Sequence, residues 1–87
     1  MLSIKVLGSG CSNCKKLEAL AHQVVDQLGV QADIMKVTEY LDIMAYNIMS
    51  TPGLVINEKV VSSGRIPSAA EISMFVANAL ELADPRL

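Results

Sequence analysis

Residues 8–20 read GSGCSNCKKLEAL. A glycine-framed turn leads into Cys11, two residues follow, Cys14 arrives, and a run of good helix formers begins. Cys11 and Cys14 are the only 2 cysteines in the chain. A Cys-x-x-Cys at the mouth of a helix can hold a metal, exchange disulfides, or simply pack, and the surrounding sequence has to decide among these.

Upstream of the turn, Leu2, Ile4 and Val6 alternate with Ser3, Lys5 and Leu7 before Gly8 and Gly10. That pattern reads as a short strand entering a tight turn. Downstream, Cys14, Leu17, Leu20, Ala21, Val24, Val25 and Leu28 recur at gaps of three and four. They form one face of a helix from about residue 12 to 28, with Gly29 as its stop.

Further along, Gln31–Val37 is a second strand. Glu39–Ser50 carries Leu41, Met44, Ala45 and Ile48 at helical spacing, with Thr38 or Glu39 as cap and Thr51-Pro52 as terminator. Leu54-Val55-Ile56 and Val60-Val61 flank Asn57-Glu58-Lys59 as a hairpin. A two-residue turn at Asn57-Glu58 needs positive φ at both positions and would prefer Gly at 58. The turn is therefore either strained or one residue longer. Ser68-Ala-Ala-Glu71 is a capping-box pattern. Ile72, Phe75, Val76, Ala79, Leu80 and Ala83 make the face of a last helix, which Asp84-Pro85 closes. The order is β-α-β-α-β-β-α. It predicts an α/β fold with a mixed four-stranded sheet flanked by helices, in one domain spanning residues 1–87.

Bulk composition narrows the function classes. The chain has 87 residues, 52% of them apolar, and a net charge of −2. Its only Phe, Tyr or Trp rings are Tyr40, Tyr46 and Phe75. With neither a basic stripe nor stacking rings, nucleic-acid binding is set aside. No run of 18 or more apolar residues is present, so no membrane association is expected. The N-terminus MLSIKVLGSG lacks the features of a secretory leader, so a cytoplasmic location is expected. Thiols there are kept reduced, and a lone cysteine pair is then catalytic or metal-binding in preference to a structural bridge.

A helix N-terminus presents four unpartnered N–H groups and about half a positive charge. With Cys11 at the N-cap, the thiolate gains over the thiol by roughly 0.3–2 kcal/mol. Lys15, one turn further on, would favour the same thiolate, and Ser12 adjoins it in the motif. The plainer reading of Lys15 and Lys16 is two solvated surface charges. Cys14 begins the apolar stripe and should be the more buried sulfur. That division suits disulfide exchange, with Cys11 attacking and Cys14 resolving.

These features resemble the thioredoxin-like superfamily, and within it the small redox-active disulfide proteins. The resemblance rests on IKVLGSGCSNC, the helix behind it, STPGLVI, the hairpin ending in VVSSG and the terminal helix. It implies a three-layer thioredoxin-like fold and a cis Thr51-Pro52 bond facing the cysteines. Thr51 and Pro52 would then form the substrate platform, with the Thr51 backbone free to pair with an extended chain. The implied substrate is a disulfide-bearing protein or small thiol, with a reductase or another thiol carrier as recharging partner. No cofactor and no metal is implied, and a monomer is expected.

The chain also departs from the families it resembles. Thioredoxins proper carry Cys-Gly-Pro-Cys after Trp, where this chain has Gly10-Cys11-Ser12-Asn13-Cys14. They place a buried Asp on the preceding strand, and the matching register here is Lys5. The glutaredoxin Gly-Gly-x-Asp element is only partly echoed by Ser63-Gly64-Arg65. Arg65 could meet a carboxylate, although a solvated Arg is the plainer reading.

Two other classes stay open. A redox-sensing or binding module would use the same thiols as a switch. A Cu(I) carrier would use the pair as soft ligands, but that fold runs β-α-β-β-α-β and ends on a strand. His22 lies two turns beyond Cys14 and reads as a helix-surface residue. Met35, Met44, Met49 and Met74 read as core or substrate-facing filler, and Met44 and Met49 are candidates to surface near Pro52.

Overall fold

The computed structural model describes residues 2–8, 12–48 and 50–83, the last three by their backbone alone. At its centre is β1, Leu2–Leu7, whose alternation buries side chains on both faces of a sheet. Six further elements follow: α1 (Ser12–Leu28), β2 (Ala32–Val37), α2 (Tyr40–Met44), β3 (Gly53–Ile56), β4 (Lys59–Ser63) and α3 (Ala69–Ala83). The strands lie in the order β2-β1-β3-β4. β1 pairs parallel with β2, and antiparallel with β3, which pairs antiparallel with β4. This is the three-layer α/β thioredoxin-like architecture expected from the sequence. A helix, α2, stands between the second and third strands, where the element order of a Cu(I) carrier has none.

Two apolar layers flank the sheet. Leu2, Ile4 and Val6 of β1 meet Leu17, Ala21, Val24 and Val25 of α1 and Ile72 and Val76 of α3. Leu7 points the other way and packs with Val55, Ile43 and Ile48. Burying one such side chain is worth about 1.5–3 kcal/mol. The α1 stripe is largely as the spacing predicts, except that Leu28, at the last helical residue, is exposed. Gly29 then takes φ +66°, and the Val30 N–H reaches back to the Val25 carbonyl, the left-handed helix stop that glycine favours.

The second helix is much shorter than its apolar spacing implies. It ends at Met44, and Asn47 adopts φ +60°. Ile43 and Ile48 are the residues that bury here, whereas Leu41 is 79% exposed. A spacing of five places Ile43 and Ile48 on different faces of a straight α-helix. The chain breaks its helix and bury both instead. Glu39 occupies the N-cap position, but its side chain makes no capping hydrogen bond.

The hairpin resolves the turn ambiguity. Asn57 and Glu58 take φ +52° and +67°, so the turn has two residues and is strained at Glu58. A bulge between Leu54 and Val55 leaves Val61 of β4 without a ladder partner.

Candidate functional site

The carboxyl end of β1 delivers the chain to Gly8, whose N–H donates to the Val37 carbonyl at 2.9 Å. A side chain cannot occupy this position. A β-carbon built on Gly8 would overlap Cys14 Sγ, lie 3.3 Å from Cys14 Cβ, and sit 3.7 Å from Thr51 Cβ. Gly8 is thus wedged between residues separated by 37 positions in the sequence. The opening motif marks Gly8 only as the end of a strand; its role as a spacer emerges from the tertiary arrangement.

Cys14 lies in the first turn of α1 and is 5% exposed, as its place on the apolar stripe predicts. Its sulfur is engaged in a disulfide. Ser12 and Lys15 lie exposed on the same helical turn. Cys11 falls outside the described residues, as does Met49. Thr51 is exposed, Pro52 is buried, and the bond between them is cis. Leu7 pairs with Gly53, so the Thr51-Pro52 dipeptide enters the sheet beside the end of β1. Of the residues singled out by sequence, Cys14, Thr51 and Pro52 converge here.

A loop from β4 supports the dipeptide from the other side. The Gly64 N–H donates to the Pro52 carbonyl at 2.9 Å, and Gly64 packs against Ser50. Arg65, the next residue, pairs with Glu71 at 2.7 Å. Glu71 N–H donates to Ser68 Oγ at 3.2 Å, which supplies one half of the capping box. The Glu71 carboxylate is drawn to Arg65. Beside Thr51 opens a groove of about 340 Å³, lined by Thr38, Tyr40, Ile43, Met44, Ile48, Ser50 and Thr51. Met44 therefore does reach the surface next to the dipeptide. His22 is exposed on α1.

Lys5 occupies a different environment from the acidic relay position of thioredoxins proper. It faces the α2 side of the sheet, where its ammonium pairs with Glu58 at 2.6 Å and donates to the Tyr46 hydroxyl at 2.9 Å. That hydroxyl in turn lies 3.3 Å from both Glu58 oxygens. The hydrogen bond to Glu58, reinforced by Tyr46, raises the Lys5 pKa above its ordinary value. The hydrogen bond from Lys5 lowers that of Glu58. Sequence reading missed this cluster. The available signal was a charged residue, Glu58, in a turn position that wants glycine.

Comparison with known proteins identifies the family and the fold. A family model described as a thioredoxin domain matches residues 2–77. A thioredoxin from Methanothermobacter thermautotrophicus is 32% identical over 77 residues, covering 88% of this chain and 100% of the relative. A thioredoxin from Methanocaldococcus jannaschii is 33% identical over 81 residues, covering 93% of each chain. Among solved structures, the germline-specific thioredoxin Deadhead of the fruit fly Drosophila melanogaster superposes with a TM-score of 0.62 at 17% identity, covering 88% of this chain and 79% of its own. Thioredoxin 1 of Thermosipho africanus gives a TM-score of 0.59 at 19% identity, covering 93% and 97%.

Proposed function

This chain belongs to the thioredoxin domain family, and from that premise we propose that it is a thiol–disulfide oxidoreductase working through Cys11 and Cys14. The observation that carries the reading is the convergence at Gly8. A buried cysteine in the first turn of α1 and the exposed Thr51 flank one side-chain-free position. That arrangement supports a substrate disulfide lying across Thr51 within reach of the sulfurs.

In the proposed cycle Cys11, which immediately precedes α1, is the nucleophile. The unpartnered N–H groups of the first helical turn favour its thiolate. Ser12, next in sequence, and Lys15, in the same helical turn, are the proposed thiolate-stabilising residues. The thiolate attacks one sulfur of the substrate disulfide, a mixed disulfide forms, and the other substrate sulfur leaves as a thiolate that takes a proton from solvent. Cys14 then loses its proton and attacks Cys11 Sγ. The second substrate sulfur departs, and the chain is left with a Cys11–Cys14 disulfide after passing two electrons to the substrate. A reductase or another thiol carrier restores the dithiol, as a reducing compartment such as the cytoplasm would allow. Thr51 and Pro52 form the platform, and the Tyr40–Met44 groove receives substrate flanking the disulfide.

The test is catalysed reduction of insulin by dithiothreitol, with free thiols counted by mass spectrometry. Cys11→Ser abolishes turnover, and Cys14→Ser accumulates a mixed disulfide with the substrate. Normal turnover by the Cys11→Ser variant would overturn the proposal. A chain that is oxidised once, without repeated turnover, would mark a redox sensor.

A further inference from the structure

The Lys5–Tyr46–Glu58 cluster joins three separate pieces of the chain. Lys5 comes from the central strand β1, Tyr46 from the segment between α2 and Thr51, and Glu58 from the hairpin turn. Lys5 Nζ also stands 5.6 Å from the centre of the Tyr46 ring. The Tyr46 hydroxyl accepts from Lys5 and is placed to donate to Glu58, so both of its hydrogen-bonding roles are used.

Among the described residues, the non-glycine positions with left-handed backbone are Asn47, Asn57 and Glu58. Glu58 belongs to this cluster, and the two asparagines adjoin its members in sequence. Asn47 follows Tyr46 directly, and Asn57 and Glu58 form the turn on its far side. Strained backbone of this kind persists only where surrounding contacts over-determine it. Those contacts are visible at the turn, where Asn57 N–H donates to the Ser3 carbonyl at 2.7 Å and Asn57 Oδ1 accepts from the Ser3 N–H at 3.0 Å. On the other side the ties are Tyr46 itself and the buried Ile48, whose Cδ1 lies 2.8 Å from a β-carbon built on Gly53. Three residues beyond Ile48 the chain reaches Thr51.

We propose that Tyr46, held by Lys5 and Glu58, is a positioning residue that sets where Thr51 stands relative to Cys14. The proposal rests on the disulfide-exchange reading for its functional half. Lys5 is only 21% exposed, which shields one partner of the ion pair, while Glu58 at 64% gives solvent access to the other.

Tyr46→Phe keeps the ring and removes the hydroxyl, and two measurements on the full chain decide the outcome. The first is amide hydrogen exchange at Gly64, whose N–H is bound to the Pro52 carbonyl and so reports on the Thr51-Pro52 segment. Its exchange is expected to rise at least about threefold more than that of the Ile4 and Val6 amides of β1. The second is kinetics. KM for insulin is expected to rise about fivefold with kcat within about twofold, because substrate placement is lost while the thiols are untouched. The small disulfide of Ellman's reagent should react at the wild-type rate. A merely structural role would instead slow both substrates together, whatever the change in stability.

Unchanged Gly64 exchange, or unchanged KM for insulin, overturns the proposal. If wild-type protein reduces no disulfide, the disulfide-exchange reading fails, and the functional half of this one fails with it. Gly64 exchange still decides whether Tyr46 holds the segment. Should Tyr46→Phe misfold, Glu58→Gln at the exposed rim carries the same two readouts in the same direction, and no change in either overturns the proposal.

Discussion

The Gly8 α-carbon abuts the Cys14 sulfur so closely that no β-carbon fits between them. The buried half of the cysteine motif is thus seated against backbone. Gly8→Ala must push back Cys14 and its helical turn, with Thr51 next in line. The expected cost is about 1–3 kcal/mol, the range for overpacking a tight site. Urea denaturation of the oxidised protein measures it. A midpoint equal to that of wild type would show that the turn relaxes freely.

The Lys5–Glu58 pair gives stability a definite pH window. Glu58 titrates below its ordinary value of 4.5 when folded, so its contribution is present above that value and is lost as pH falls through the folded pKa. Lys5 titrates above its ordinary value of 10.5, so its contribution is present below that value and is lost as pH rises through the folded pKa. Glu58→Gln should lower the Tm at pH 7, and the difference from wild type should shrink steadily as pH falls below about 4. Paired thermal melts at pH 7 and pH 3 check this. A gap that stays constant between them would contradict it.

Ser62 is buried in β4 opposite Leu54, and its hydroxyl has no hydrogen-bond partner among the described residues. A buried hydroxyl left unpaired costs on the order of 1–3 kcal/mol of desolvation. Ser62→Ala should therefore be neutral or stabilising by up to about 1 kcal/mol. Chemical denaturation resolves the sign, and a clear loss of stability would mean that the hydroxyl has a role in the folded protein.

The start of α3 depends on Ser68, whose Oγ accepts the Glu71 N–H. Ser68→Ala should cost about 1 kcal/mol. Arg65→Ala should cost less than about 0.5 kcal/mol, since the Arg65–Glu71 pair is solvent-exposed. The ratio of the two losses in one denaturation series separates cap from ion pair.

What the sequence made legible follows a physical line. β1 and α1 each present a periodic apolar face to a core, and periodicity survives translation into structure. Cys14 is buried because it starts that face. α2 misled because Leu41, Met44 and Ala45 keep helical spacing while lying on exposed surface. The burial that matters joins Ile43 to Ile48, across a helix end. Lys5 was opaque for a different reason. Its partners lie 41 and 53 positions away, and no local pattern announces a contact between the middle of a strand, a loop and a turn. Only the glutamate in a glycine-favouring turn hinted that something distant was holding it.

The bulge opposite Leu54 and Val55 has a consequence beyond register. β4 is an outer strand of the sheet, and such strands can recruit a strand from another molecule and seed aggregates. An extra residue in β4 twists its free edge out of line, and Lys59 brings a charge to its start. On this side of the sheet, neighbouring molecules thereby meet a poor template for strand addition.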